Sequence, residues 1–122
     1  MLLSAGATGL RLVVGIFSKA GCGDYPYRQS IRHSWMRQPG VCVLSSIARV
    51  NCSVYATFVL GDDGPDKGEE DVTILPVKEN MNGGKTRVWF QHAAKRAQWA
   101  THVAKLDMDA FPHFSAVLDS IS

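Results

Sequence analysis

The run from Leu10 to Phe17, Leu-Arg-Leu-Val-Val-Gly-Ile-Phe, constrains the fold more than any other stretch of the chain. It is short, β-branched and apolar, and it lacks the alternation that would leave one face of a strand in water. Such a strand must be covered on both faces, which is the environment of an internal strand in a parallel sheet. Its longest unbroken apolar part, Leu12 to Phe17 with Gly15 included, is far short of the roughly 20 residues that a helix needs to cross a bilayer.

Beyond this strand the segments alternate in type. Ser18 to Pro26 holds Gly21, Gly23, Asp24 and Pro26 and reads as a turn-rich loop. Tyr27 to Arg37 has a helical pattern: Ile31 and Trp35 share a face, and Arg28 and Arg32 lie beside them, until Pro39-Gly40 stops the helix. Ser53 to Leu60 is a second strand, Gly61 to Gly68 a polar loop, and Asp71 to Leu75 a short third strand closed by Pro76. After the Asn82-Gly83-Gly84 turn, a helix runs from near Lys85 to about Ala97 with Trp89, Ala93 and Ala97 as its stripe and Phe90 and Ala94 alongside. The small alanines let that helix lie close on a sheet. His102 to Leu106 is a fourth strand. Strands alternating with helices point to an α/β architecture, a mostly parallel sheet flanked by helices, and 122 residues suit a single domain or part of one. In open sheets of this class ligands gather at the carboxyl ends of the strands. That directs attention to Ser18-Lys19, Gly61-Asp62-Asp63 and Asp107 to Asp109.

Charge and cysteines narrow the function classes. Thirteen Lys and Arg against eleven Asp and Glu leave a formal charge of +2 spread along the chain, which makes no case for a nucleic-acid partner or a membrane-surface field. Met1-Leu2-Leu3 has no basic region before it and Arg11 breaks the apolar character of the next residues, so the layout of a secretory signal is missing. Cys22, Cys42 and Cys52 are odd in number and none has the Cys-x-x-Cys spacing, so each is expected to be a buried thiol. One feature points toward a secretory lumen: Asn51-Cys52-Ser53 is an N-glycosylation sequon. The four histidines show no shared metal spacing and are expected at surface or satisfied positions.

Asp107-x-Asp109 is the most informative short motif. Two carboxylates two apart, just past a buried strand, can both reach one hard cation or its coordinated water. Mg²⁺ and Mn²⁺ take oxygen ligands, often one or two carboxylates, and complete their shells with phosphate and water. The pair therefore suits a metal–diphosphate ligand. Arg28 and Arg32 offer two guanidinium forks on one helical face. Lys85-Thr86, after a double glycine at a helix start, can meet a phosphate through its ammonium and backbone N–H groups, although no Walker A loop is spelled here.

These pieces, in this order, resemble a known family. Leu12 to Ser18 followed by Tyr27-Arg28-Gln29-Ser30-Ile31-Arg32-His33-Ser34-Trp35 is similar to the opening of the β-1,3-galactosyltransferase group, glycosyltransferase family 31, a buried strand followed by an Arg-x-x-Ile-Arg-x-Thr-Trp helix. Phe58-Val59-Leu60-Gly61 resembles the family's Phe-Leu-Leu-Gly strand end, and Asp71 to Leu75 its Asp-Ile-Ile segment. Lys85-Thr86 with Trp89 resembles its Leu-Lys-Thr helix, and Val103 to Phe111 its Val-Leu-Lys-x-Asp-Asp-Asp-Val-Phe motif. The resemblance implies a GT-A type, Rossmann-like domain that binds a UDP-sugar. Asp109 would then hold Mn²⁺ or Mg²⁺ on the diphosphate, and Asp107 would contact the ribose or a metal-bound water. Ser18, Arg28, Arg32 and Lys85 would contact the uridine diphosphate. The implied activity is inverting hexosyl transfer, galactosyl or N-acetylglucosaminyl, to a glycan or glycoprotein acceptor on the lumenal side of the Golgi membrane.

The chain also departs from the family. Met108 replaces the middle aspartate, Ser34 the usual threonine, and Asn80-Met81-Asn82-Gly83-Gly84 the family's Tyr-x-Asn-Leu-Thr-Leu approach to Lys85. The chain stops soon after the metal motif, so the expectation is the nucleotide-sugar half alone, with the catalytic base, the acceptor half and the membrane anchor outside it. The alternative reading is a non-catalytic UDP-binding or relic domain. Another doubly wound nucleotide-binding protein would need a Gly-x-Gly-x-x-Gly turn, which Ser18 to Gly23 matches poorly.

Overall fold

Strand β1, Leu12–Phe17, is buried along its whole length because it has a parallel neighbour on each edge. Strand β3, Val54–Leu60, pairs with it from Leu12↔Val54 to Phe17↔Val59. Strand β5, His102–Asp107, pairs on the other edge from Leu12↔His102 to Phe17↔Asp107. The far edge of β3 is shared by two short strands. Its first half takes β2, Val41–Val43, in the register Val41↔Val54, and its second half takes β4, Val72–Ile74, in the register Phe58↔Val72. All pairings are parallel, in the order β2-β3-β1-β5 with β4 further along β3. The structure is a computed structural model that describes residues 9–19, 23–45, 47–62, 69–78 and 84–121.

Alternation along β1 and β3 feeds two cores, as a sheet covered on both faces requires. Leu12, Val14 and Ile16 join Ala56, Phe58 and Leu60 on one face. Ile31 of helix α1 (Tyr25–Arg32), Trp35, and Phe114 and Leu118 of helix α3 (Phe114–Ile121) cover them. Val13 and Phe17 join Tyr55 and Val59 on the other face, beneath Trp89, Ala93 and Ala97 at helix α2 (Gly84–Arg96). The expected stripe of α2 is therefore the buried one, while Phe90 and Ala94 face outward. Gly15 lets the helix come this close: a Cβ there would lie 2.5 Å from Trp89 Cε2. The indole is also tied to the sheet, since Trp89 Nε1 donates to the Ala104 carbonyl at 3.2 Å.

Several boundaries differ from the sequence expectation. Helix α1 begins at Tyr25 because Pro26 fits the first turn, where its missing N–H costs no helical bond. It ends at Arg32, and Trp35–Arg37 forms a separate 3-10 turn in place of a continuous helix to Arg37. Gln38 then clasps the start of α3: its Nε2 donates to the Pro112 carbonyl at 2.8 Å, and its Oε1 accepts from the Phe114 N–H at 3.0 Å. Strand β2 has no counterpart in the sequence expectation, being too short for a period to show.

The cysteines need correction. Cys42 and Cys52 are not separate buried thiols but form a disulfide, with Cα atoms 5.9 Å apart. The β2–β3 register sets Val41 beside Val54, which carries the turn before β3 back alongside β2. Tyr55 fastens that turn, because its hydroxyl accepts from the Arg49 N–H at 2.9 Å and lies 3.1 Å from the Cys52 carbonyl. Met1 to Leu3, Cys22, loop positions 63–68 and the Asn82-Gly83 part of the expected turn lie outside the described residues. Among the described residues no helix is long and apolar enough to cross a membrane.

Candidate functional site

Ser18 continues β1, donating its N–H to the Val59 carbonyl at 3.1 Å, and three other parts of the chain hold it. Arg28 Nη1, from α1, donates to Ser18 Oγ at 2.8 Å and to the Lys19 carbonyl at 2.9 Å. Lys85 Nζ, from the first turn of α2, donates to the Ser18 carbonyl at 2.8 Å. The Asp24 carboxylate, just before α1, accepts from the Lys19 N–H at 2.7 Å. Arg28 and Lys85 are both fully buried. A buried cation must be matched by acceptors, and here the acceptors include the backbone that ends β1.

Register brings the acidic motif to the same place. Asp107 lies opposite Phe17 at the end of β5, and Asp109 comes next in a turn closed by Ala110 N–H donating to the Asp107 carbonyl at 3.1 Å. Phe17, Ser18, Lys19, Asp24, Asp107, Met108 and Asp109 line a cavity of 260 Å³. Tyr27, Met108 and Asp109 line an adjoining hollow of 330 Å³. Both aspartates are exposed, and Lys105 Nζ stands 3.7 Å from Asp107 Oδ1. The ammonium groups of Lys85 and Lys105 lie 4.9 Å and 4.8 Å from the Phe17 ring centroid.

The donor set fits a divalent cation that arrives with a diphosphate. Asp107 and Asp109 are hard oxygen donors open to solvent, and no group of three or more His, Cys, Asp or Glu among the described residues forms a metal cage. Two carboxylates supply part of an octahedral shell, and phosphate and water oxygens would supply the rest.

Ser18, Arg28, Lys85, Asp107 and Asp109 thus come together, whereas Arg32 turns elsewhere. Its Nε and Nη2 grip Asp71 at 2.8 and 2.6 Å, Nη2 also reaches Glu69 at 2.6 Å, and Nη1 donates to Gln29 at 2.7 Å. Arg28 adds a second fork, with Nε and Nη2 on the two Glu69 oxygens at 2.9 and 3.0 Å. The hydrogen bonds to Asp71 hold Arg32 charged, well above its ordinary range. Burial pushes the Glu69 carboxyl up, but bonds and charge from Arg28 and Arg32 outweigh this and keep it below its usual value of 4.5. A wider hollow of 460 Å³ opens beside Arg32, Glu69 and Asp71, but the carboxylates of Glu69 and Asp71 are already held by the arginines.

Sequence reasoning assigned Glu69 and Asp71 no partner. Spacing gave no signal, because Glu70 and Asp71 lie in a turn just before β4 and both arginines converge on Glu69. Asp24 and Tyr27 were also missed, since neither carries a motif. The histidines stay away from the cavity lining: His33, His102 and His113 are exposed and His92 is half-buried on α2. Compared with protein-family models, with curated proteins and with solved structures, the chain finds no match in any of the three, so its functional assignment rests on its own residues.

Proposed function

We propose that this chain is a GT-A type nucleotide-sugar domain of a hexosyltransferase, which takes a UDP-sugar donor at the carboxyl ends of β1 and β5. The observation that carries the reading is the cavity where Ser18, Asp107 and Asp109 meet. It lies where ligands collect in open α/β sheets and holds the oxygen donors that a cation-bound diphosphate needs. Asp109 would hold Mn²⁺ or Mg²⁺, and Asp107 would take the ribose or a metal-bound water. The cation, when bound, neutralises charge on the departing diphosphate.

The remaining residues orient and balance. Arg28 and Lys85 fix the Ser18-Lys19 backbone from opposite faces of the sheet, so that Lys19 and the Ser18 turn face the diphosphate with little reorganisation. Arg32 acts at one remove, through Glu69, which it shares with Arg28. Tyr27 borders the adjoining hollow with an exposed ring on which a base or sugar can lie. The acceptor, a glycan or glycoprotein hydroxyl, would attack the anomeric carbon in line as its proton passes to a base. The Cys42–Cys52 disulfide supports an oxidising compartment, in keeping with the lumenal side of the Golgi.

Calorimetry of the full chain with UDP, with and without Mn²⁺, tests the reading. Affinity should rise with Mn²⁺, and Asp109→Ala should remove that increment while leaving metal-independent binding intact. Equal affinity in both conditions would sink the metal role, and no binding in either would sink the donor site.

A further inference from the structure

Asn51 sits in a turn, exposed, between two features with opposing demands. It opens the chain's single Asn-x-Ser/Thr sequon, Asn51-Cys52-Ser53, whose middle residue is a partner in the Cys42–Cys52 disulfide. The third residue, Ser53, is fully buried. Its N–H donates to the Gly40 carbonyl at 2.9 Å and its carbonyl accepts from the Leu12 N–H at 2.8 Å, so its backbone is laced to neighbours on two sides. N-linked transfer needs the sequon as an adaptable strand with its hydroxyl accessible to the transferring enzyme. The folded chain denies both. The Asn51 side chain remains outside, beside Val50 at 77% exposure and with Ile47 at 67% nearby, two apolar side chains left in water.

We propose that Asn51 is an N-glycosylation site whose occupancy is decided by a race with closure of the Cys42–Cys52 disulfide, and that the glycan, once attached, stands over Val50 and Ile47. In the transfer, the Asn51 amide nitrogen bonds to the anomeric carbon of a lipid diphosphate-linked oligosaccharide and loses one proton. The carbon–oxygen bond to the lipid diphosphate breaks, and its electron pair leaves with the diphosphate. In the competing step, the two thiols give up two protons and two electrons to a lumenal disulfide donor. Closure carries Cys52 against β2 and draws Ser53 into the sheet, which ends access. Only ten positions separate the two cysteines, so the ring closes early and the race is close. The inference rests on passage through an oxidising lumen, which the proposed function shares, and needs none of its sugar-nucleotide chemistry.

The test is cell-free translation of the full chain behind a cleavable signal sequence, with microsomal membranes. All nascent chains are scored, whether or not they fold. The readout is a mobility shift that peptide N-glycosidase removes and that Asn51→Gln abolishes. Cys42→Ser leaves the sequon intact and should raise the shifted fraction, and a thiol reductant should do the same to the natural chain. A shift seen only when the disulfide cannot close equally supports the race. No shift in the natural chain, the reduced chain or Cys42→Ser overturns the site. A fraction unchanged or lowered by Cys42→Ser overturns the race. Because UDP is absent from the assay, either failure leaves the donor-binding reading to be judged by calorimetry alone.

Discussion

Arg28 shows how a single side chain can join a fold to a site. Its guanidinium is fully buried and bonded on one side to Glu69 and on the other to Ser18 and Lys19. A lysine there keeps the charge but cannot reach all these acceptors at once. Arg28→Lys should therefore lower stability by about 2–3 kcal/mol, and Arg32→Lys, on the more open side of the cluster, by about 1 kcal/mol. Urea unfolding of both variants would check the order, and a larger loss at Arg32 would contradict it. Glu69 adds a pH dependence. Its folded pKa lies below 4.5, so its contribution is fully present above that pH and is lost as pH falls through the depressed value. Acid unfolding followed by circular dichroism should show a shallower acid limb for Glu69→Gln than for the natural chain. Sequence alone disclosed the arginines and their shared face. It did not disclose where they pointed, because their carboxylate partners lie 37 to 41 residues away and only the fold brings them near.

Among the elements, β1 and α2 were legible and β2 was not, for one physical reason. An unbroken apolar run of six residues stands out by its length and a helix of 13 repeats its period often enough to be read, whereas a strand of three offers neither signal. Missing β2 concealed the disulfide, since Cys42 meets Cys52 only through the β2–β3 register. The Asp107-x-Asp109 motif was legible because it sits at the end of a readable strand, whereas Asp24 and Tyr27 reach the site through a loop and a helix start that carry no period. The contact between β1 and α2 has its own consequence. At Gly15 an added methyl would fall 2.5–2.8 Å from three atoms of the fully buried Trp89 ring. Gly15→Ala should cost about 1–3 kcal/mol by overpacking, seen as a lower urea midpoint, and Gly15→Ala with Trp89→Leu should cost less than the sum of the two single changes. Additive losses in that double-mutant cycle would mean that the two residues are not coupled.

For the molecule as a whole, the disulfide closes a loop of ten positions at one corner of the sheet, and its loss should lower unfolding free energy by about 2–3 kcal/mol. Thermal melts with and without reductant would measure this, and coincident melts would show that the bridge is dispensable. At the opposite end of the strands, the turn carrying Asp109 is stretched between two anchors. Asp107 is hydrogen-bonded into the sheet, and Gln38 holds the Pro112 carbonyl. Only Met108 to Phe111 run between them. A bridge so short cannot swing like a flap, because each residue adds at most about 3.6 Å of reach. If the proposed function holds, a donor molecule arriving with its cation at this turn would meet a doorway whose jambs are already set. On the proposed reading, capture of its cation by the two aspartates would be a one-step docking, with an observed rate that climbs in proportion to concentration instead of levelling off at the pace of a closing door.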